Sequence, residues 1–353
     1  MDNNSIFCSE YVNTDRQFEM DFAKAIGIIC MVFCHVALSF LRPGSAMYNI
    51  FDNLGDELCT PVFMFCMGVS FCYTKNREPG KMAARGLRIF LMGYALNILR
   101  GVIPELLSSL LGTTPFTIGV LENLLTVDIL QFAGLAMIVI ALCIKIKLHP
   151  AIIFSISILF AAISDFLAGT GTGTLVFDMI LGLFYPISEL TCFPLLTWFI
   201  FPAAGLLFGT MLLRCTDKRK MYGALLPISG LITLFVHIVS MISTNYYTIN
   251  LYYALGLGPA VLAVFVVFFV LSLGHFAQKK LSGLLTAIVL RMSSYLNDIY
   301  IISWLMINWL LLLTKSVLNV QLPVWSVFIL MVFILVASYR LSVVYRKRKK
   351  AQR

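Results

Sequence analysis

The chain has 353 residues, 60% of them hydrophobic and only 12% charged, with a mean hydropathy of +0.92. That balance excludes a water-soluble globule. The formal net charge of +9 sits between apolar runs, where it reports membrane topology, so no nucleic-acid partner is expected. Nine cysteines, odd in number and mostly inside apolar runs, point to neither a disulfide framework nor a metal site.

Apolar runs of about twenty residues match the hydrocarbon thickness of a bilayer. In chain order they predict about ten transmembrane helices, over 20–41, 57–73, 87–108, 120–142, 150–168, 193–213, 222–243, 253–274, 295–314 and 323–343. Spans and short connections use nearly the whole chain. The sequence therefore predicts an all-α, polytopic integral membrane bundle, one domain over 1–345 with a basic tail, 346–353. The first run is long and interrupted by Asp21 and Lys24, so it is expected to stay as a span, not to be cleaved as a signal peptide. Apart from Arg42, Arg100 and Lys315, the 26 Lys and Arg residues fall near the termini or in alternate connections such as 74–88 and 214–220. This asymmetry puts both termini in the cytoplasm of a cell whose plasma membrane the chain crosses. The run from Arg346 to Lys350 would be drawn to anionic lipid headgroups.

The first span carries the most chemistry. Arg16, Asp21 and Lys24 open an apolar run broken only by His35. On a helix Asp21 and His35 lie about 40° apart around the axis and roughly 21 Å apart along it. A polar group inside the membrane is costly, and an imidazole there can take and return a proton near neutral pH. A His satisfied by a neighbouring helix is the competing structural explanation. Next comes Pro61-Val-Phe-Met-Phe-Cys-Met-Gly68, then the basic loop with Lys75 and Lys81, then Arg85 and Arg88. At i, i+3 the two arginines can face one way, suited to phosphate groups or to anchoring at the headgroups. Arg100 lies about 18 Å further along the same helix. Either it meets Glu105, Glu122 or another acid, or it touches substrate.

Asp128 and Gln131 share a face inside the fourth span, where a lone carboxylate would be expensive. Gly169-Thr-Gly-Thr-Gly-Thr174 lacks phosphate-loop spacing and reads as a flexible external connection. It leads into 175–186, apolar but too short to span, within a long connection that holds Asp178, Tyr185 and Glu189. Asp165 and His237 are expected to be buried, with no chemistry attached. Tyr246, Tyr247, Tyr252 and Tyr253 suit an interfacial belt. The ninth span brings Tyr295, Asn297, Asp298, Tyr300, Ser303 and Trp304, with structural and functional readings both open.

Arg16, Asp21-x-x-Lys24 and the run to His35 resemble the first helix of the bacterial family-three membrane acyltransferases. Pro61–Gly68 resembles their second helix, and Arg85-x-x-Arg88 their paired-arginine motif. Asp128-Ile-Leu-Gln131 and Tyr300-Ile-Ile are similar to segments of the wider superfamily, which includes heparan-alpha-glucosaminide N-acetyltransferase. The resemblance implies transfer of an acyl group, usually acetyl, from cytoplasmic acyl-CoA to a hydroxyl or amine of an extracytoplasmic glycan or glycolipid. In that scheme His35 is the base or a transient acyl carrier, and Arg85 and Arg88, with Lys75 and Lys81, hold the nucleotide of acetyl-CoA. Asp21, Lys24, Arg16, Arg100, Asp128 and Gln131 bind substrate or support the site. A transporter or flippase, using the intramembrane charges as a relay, is the alternative; paired half-sequences with broken helices would favour it, and none is visible.

Overall fold

A bilayer leaves backbone N–H and C=O groups no partners but each other, which drives long apolar runs into helices. A computed structural model describes residues 6–74, 78–113, 119–188, 191–242 and 256–352. Its helices are α1 (Phe18–Phe40), α2 (Ala46–Leu58), α3 (Thr60–Tyr73), α4 (Pro79–Leu110) and α5 (Gly119–Leu125). They continue with α6 (Ile129–Lys145), α7 (Pro150–Leu167), α8 (Leu175–Leu181), α9 (Leu195–Leu213) and α10 (Lys218–Ile242). The last four are α11 (Leu257–Ala277), α12 (Gly283–Ser294), α13 (Leu296–Val317) and α14 (Val324–Ala351). Among the described residues, 8 helical stretches are long and apolar enough to cross a membrane, α2 and α3 counting as one. The chain is an all-α, multi-pass membrane protein.

The expected fourth span is where pattern and structure part. Residues 126–128 leave the helix: Val127 bridges Thr191, and the Cys192 N–H donates to the Val127 carbonyl at 3.0 Å. Asp128 then caps α6, its carboxylate accepting the Ile129 N–H at 2.7 Å, while Gln131 Oε1 accepts the Asp128 N–H at 3.3 Å. This reciprocal capping box starts a new helix where hydropathy alone sees one continuous run. The expected flexible connection at 169–174 is also organised. Asp178 accepts N–H groups from Thr172 and Gly173 and the Thr172 hydroxyl, and the Thr172 N–H foremost holds its carboxyl below the usual range. Asp165 is exposed and accepts the Leu257 N–H at 3.2 Å. Helix α12 has no counterpart among the expected spans, and the basic tail continues α14 to Ala351. Lys75, Glu189 and the four tyrosines from 246 to 253 lie outside the described residues, and the His237 side chain is likewise undescribed.

Contacts divide the chain into two compact units. The first comprises Met1–Met20, Pro61–Tyr94 and Leu125–Lys279. In it α3 and α9 touch backbone to backbone: a Cβ on Gly68 would strike the Pro202 carbonyl, and one on Gly205 the Phe65 carbonyl. Such small-residue contacts hold helices together where lipid removes the hydrophobic drive between them. Phe65, Phe208 and Phe268 pack beside this seam with ring centres 5.3–5.6 Å apart. The α4–α6 contact repeats the device, a Cβ on Gly86 falling 2.7 Å from the Gly134 carbonyl. Before α1, the chain is pinned to the α9–α10 connection by the Cys8 N–H on the Arg214 carbonyl and by Asn13 on the Leu212 carbonyl. Glu19, fully buried, receives the Lys218 ammonium at 2.6 Å and the Tyr222 hydroxyl at 3.1 Å. The Tyr222 ring stacks on His275 in the last turn of α11.

The second unit comprises Asp21–Thr60, Ala95–Leu124 and Lys280–Arg353. Here α2 lies on α1 with Gly55 against Cys34, and Phe51 bridges Phe33 of α1 and Phe328 of α14. Arg346 of α14 pairs with Asp298 at the start of α13 and lies over the Tyr295 ring.

The glycine seam of the first unit makes a stability prediction. Gly205→Ala should force α3 and α9 apart against rigid backbone. The expected cost is about 1–3 kcal/mol, read as a lower melting temperature of the purified protein; an unshifted midpoint would mean that the seam is not close-packed.

Candidate active site

Helix α1 sets His35 half-buried among aliphatic neighbours, and the Ser39 hydroxyl donates to its carbonyl at 2.7 Å. The imidazole rests on an aromatic wall supplied by α13. Its ring centre is 4.1 Å from that of Trp304, with the planes inclined by 30°, and 6.5 Å from Tyr300, edge to face. Tyr300 and Trp304 are one helical turn apart, so a single face of α13 presents both.

Arg100 reaches the same wall. Its guanidinium carbon is 4.5 Å from the centre of the Trp304 ring, a cation–π arrangement. The guanidinium also donates to Asn97 Oδ1 at 3.1 Å, and the buried Asn97 amide donates in turn to the Leu124 carbonyl. A wide π turn over Ile98–Val102 aims the side chain; there the Ile103 N–H returns to the Ile98 carbonyl, five residues back. Such turns add a residue to a helix and rotate the turns beyond them, and they recur at functional sites. A Leu99 carbonyl turned off the regular ladder accepts the Trp309 indole N–H at 3.2 Å. A second wide turn, Leu312–Val317, closes α13, and its Ser316 bonds Ser108 of α4 at 2.9 Å. The Nε1 of Trp304 is buried and has no hydrogen-bond partner among the described residues.

The other expected site residues separate into groups. Asp21, buried, accepts the Ser293 hydroxyl of α12 at 2.5 Å. Lys24 is half-buried and Arg16 exposed. Asp128 and Gln131 are taken up by the cap of α6, and Gln131 also donates to the Thr126 carbonyl at 3.3 Å, so both support structure. Arg85 and Arg88 stand exposed early in α4, while Gly86 between them turns toward α6. Lys81 is ion-paired with Glu78 at 2.7 Å. His35 and Arg100 thus belong to the second unit; Arg85, Arg88 and Lys81 belong to the first. Among the described residues no three His, Cys, Asp or Glu side chains stand together as metal ligands.

The sequence model for "heparan-alpha-glucosaminide N-acetyltransferase, catalytic" matches residues 16–250. The chain belongs to this family. No curated protein and no solved structure matches it. Membership in the heparan-alpha-glucosaminide N-acetyltransferase family makes the chain a membrane enzyme of the acetyltransferase type. The matched stretch holds His35, Arg85, Arg88 and Arg100, whereas Ser293, Tyr300 and Trp304 lie beyond it.

Sequence reasoning left Asn97 and Ser293 out of the site and kept both a structural and a functional reading open for Tyr300 and Trp304. Asn97 was within reach, being three residues before an arginine too deep for an anchor. Ser293 carries no such signal. Removing its hydroxyl takes a hydrogen bond from a buried carboxylate, so Ser293→Ala should cost about 1.5–3 kcal/mol. A thermal midpoint equal to that of the unaltered protein would show that Asp21 does not depend on this bond.

Proposed function

We propose that this acetyltransferase moves an acetyl group from acetyl-CoA, or another acyl-CoA, to a hydroxyl or amine of a glycan or glycolipid across the plasma membrane, with His35 as the catalytic base. The observation that supports this best is the arrangement at Trp304. An imidazole is held inside an apolar helix with a guanidinium on the same ring, in a chain of acetyltransferase family.

His35 takes the proton of the acceptor O–H or N–H as that atom attacks the thioester carbonyl carbon. The new C–O or C–N bond forms, the C–S bond breaks, and the departing thiolate recovers the proton from the imidazolium. The same imidazole could instead carry the acyl group on nitrogen between donor and acceptor. Arg85 and Arg88, exposed at the start of α4, suit the donor's phosphates, because a planar guanidinium offers paired N–H donors to phosphate oxygens. Lys75 and Lys81 would add charge to that mouth, with Lys81 leaving Glu78. Arg100 would face the acyl end of the donor, and Asp21, with Lys24 and Arg16, would steady the start of α1. Cation placement puts the donor side, both termini and the basic end of α14 in the cytoplasm.

Labelled acetyl-CoA with an amino sugar as acceptor tests the reading. His35→Ala should lower transfer at least about a hundredfold while the protein still purifies folded. Full activity in that variant would refute a proton-transfer role. Arg85→Ala and Arg88→Ala should each weaken CoA binding roughly ten- to hundredfold, the loss of one charge-assisted contact of about 1.5–3 kcal/mol. Unchanged CoA affinity in both would reduce the pair to membrane anchors.

A further inference from the structure

The polar edge of Trp304 at the His35 site is not accounted for by the fold. The indole N–H of Trp304 is shut from solvent and has no acceptor among the described residues, although a buried donor without an acceptor gives up its hydration without return. Buried tryptophans usually find a partner for this N–H; the Trp198 N–H likewise meets no hydrogen-bond acceptor among the described residues, but its ring packs among Phe193 and Phe201 and not against an imidazole. The ring face cannot explain the choice of residue, since a phenylalanine would also stack with the His35 imidazole at 4.1 Å and the Arg100 guanidinium at 4.5 Å. What tryptophan adds is the N–H itself. It lies in the ring plane, so its acceptor must arrive at the ring edge, beside groups that contact the ring from elsewhere. The donor sits next to the imidazole proposed as base and next to a fixed positive charge.

We propose that Trp304 is a catalytic residue whose Nε1–H donates to the carbonyl oxygen of the acyl thioester and holds the oxyanion formed on it. This rests on the acyl-transfer reading of His35 given above. When the acceptor atom bonds to the carbonyl carbon and His35 removes its proton, the C=O π pair moves onto oxygen. The indole N–H keeps its proton throughout and strengthens its bond to that oxygen as charge develops. When the pair returns, the C–S bond breaks and the thiolate receives the proton from His35. A donor pre-placed in a water-poor site acts on the transition state more than on the ground state, which raises kcat with little effect on KM. The Arg100 charge beside the ring favours the same oxyanion.

The test uses the full chain in detergent or nanodiscs, with release of the CoA thiol from acetyl-CoA measured in the presence of glucosamine. Trp304→Phe keeps a ring for His35 and Arg100 and deletes the N–H. Its kcat should fall at least about tenfold, toward the hundredfold typical of a lost oxyanion donor, with KM for acetyl-CoA little changed. Its melting temperature should hold or rise, because an unmet donor is gone. Trp325→Phe, at an exposed position on α14, should turn over like the unaltered protein. Benzothienylalanine incorporated at position 304, with sulfur in place of N–H in a ring of the same shape, should repeat the kcat loss, and it decides the matter if Trp304→Phe does not fold. Normal kcat in either folded variant alongside an inactive His35→Ala would overturn the role of Trp304 and leave His35 standing. An unaltered protein that releases no thiol, or a fully active His35→Ala, would overturn the acyl-transfer reading and this one with it.

Discussion

Every polar group in the hydrocarbon layer must find its partner within the chain, and the rest of this architecture follows from that requirement. It is met by several means. Asp128 and Gln131 satisfy each other's backbone at the head of α6. Glu19 meets Lys218 and Tyr222, Asp21 meets Ser293, and Asp298 meets Arg346. Removing Lys218 would leave the buried Glu19 carboxylate uncompensated, whereas an apolar replacement of both members of a buried ion pair can be neutral. These contacts therefore speak for unique placement of helices more than for stability. The indole N–H groups of Trp198 and Trp304 are exceptions among the described residues, and that of Trp304 lies beside the one histidine on α1.

Much of the fold was legible because hydropathy and helix length report the same physical quantity, the thickness of the bilayer. The α1, α7, α9, α11 and α14 stretches begin within a few residues of the expected spans. Residues 126–128 escape that pattern because a capping box is a local hydrogen-bond device on which mean hydropathy has no grip. The ordering of 169–174 around Asp178 escapes it for the same reason: glycine and threonine alternation looks flexible until a carboxylate collects its N–H groups. His35 was legible as an isolated polar residue in an apolar run. Its aromatic wall was not, because Tyr300 and Trp304 come from the other end of the chain and only folding sets them against α1. Arg100 lies between these cases. Its depth was plain from sequence, but its direction depends on a wide turn that propensities do not predict.

The two wide turns act as devices of aim. A regular helix fixes where each side chain points once its axis is set, leaving a half-buried cation such as Arg100 little choice of direction. Ile98–Val102 escapes that limit with one added residue, and the costs are met nearby: Asn97 holds the guanidinium, and Trp309 takes the Leu99 carbonyl. Leu312–Val317 does the same near the end of α13, where Ser316 and Ser108 join the two helices. Both turns lie in the second unit, as do His35 and Trp304. Backbone irregularity is therefore concentrated around the candidate site, while glycine contacts between regular helices dominate the first unit.

The aromatic wall also bears on how the family is traced from one sequence to another. The family match ends at residue 250, yet the ring on which His35 rests is residue 304. A shortened homologue or a gene fragment ending near that boundary would score as a full match while lacking the ring that meets His35. Conversely, a member that replaced the ring at this position could keep every matched residue and leave the His35 imidazole without its partner. For sequences of this kind, the match alone leaves the surroundings of the matched histidine undescribed.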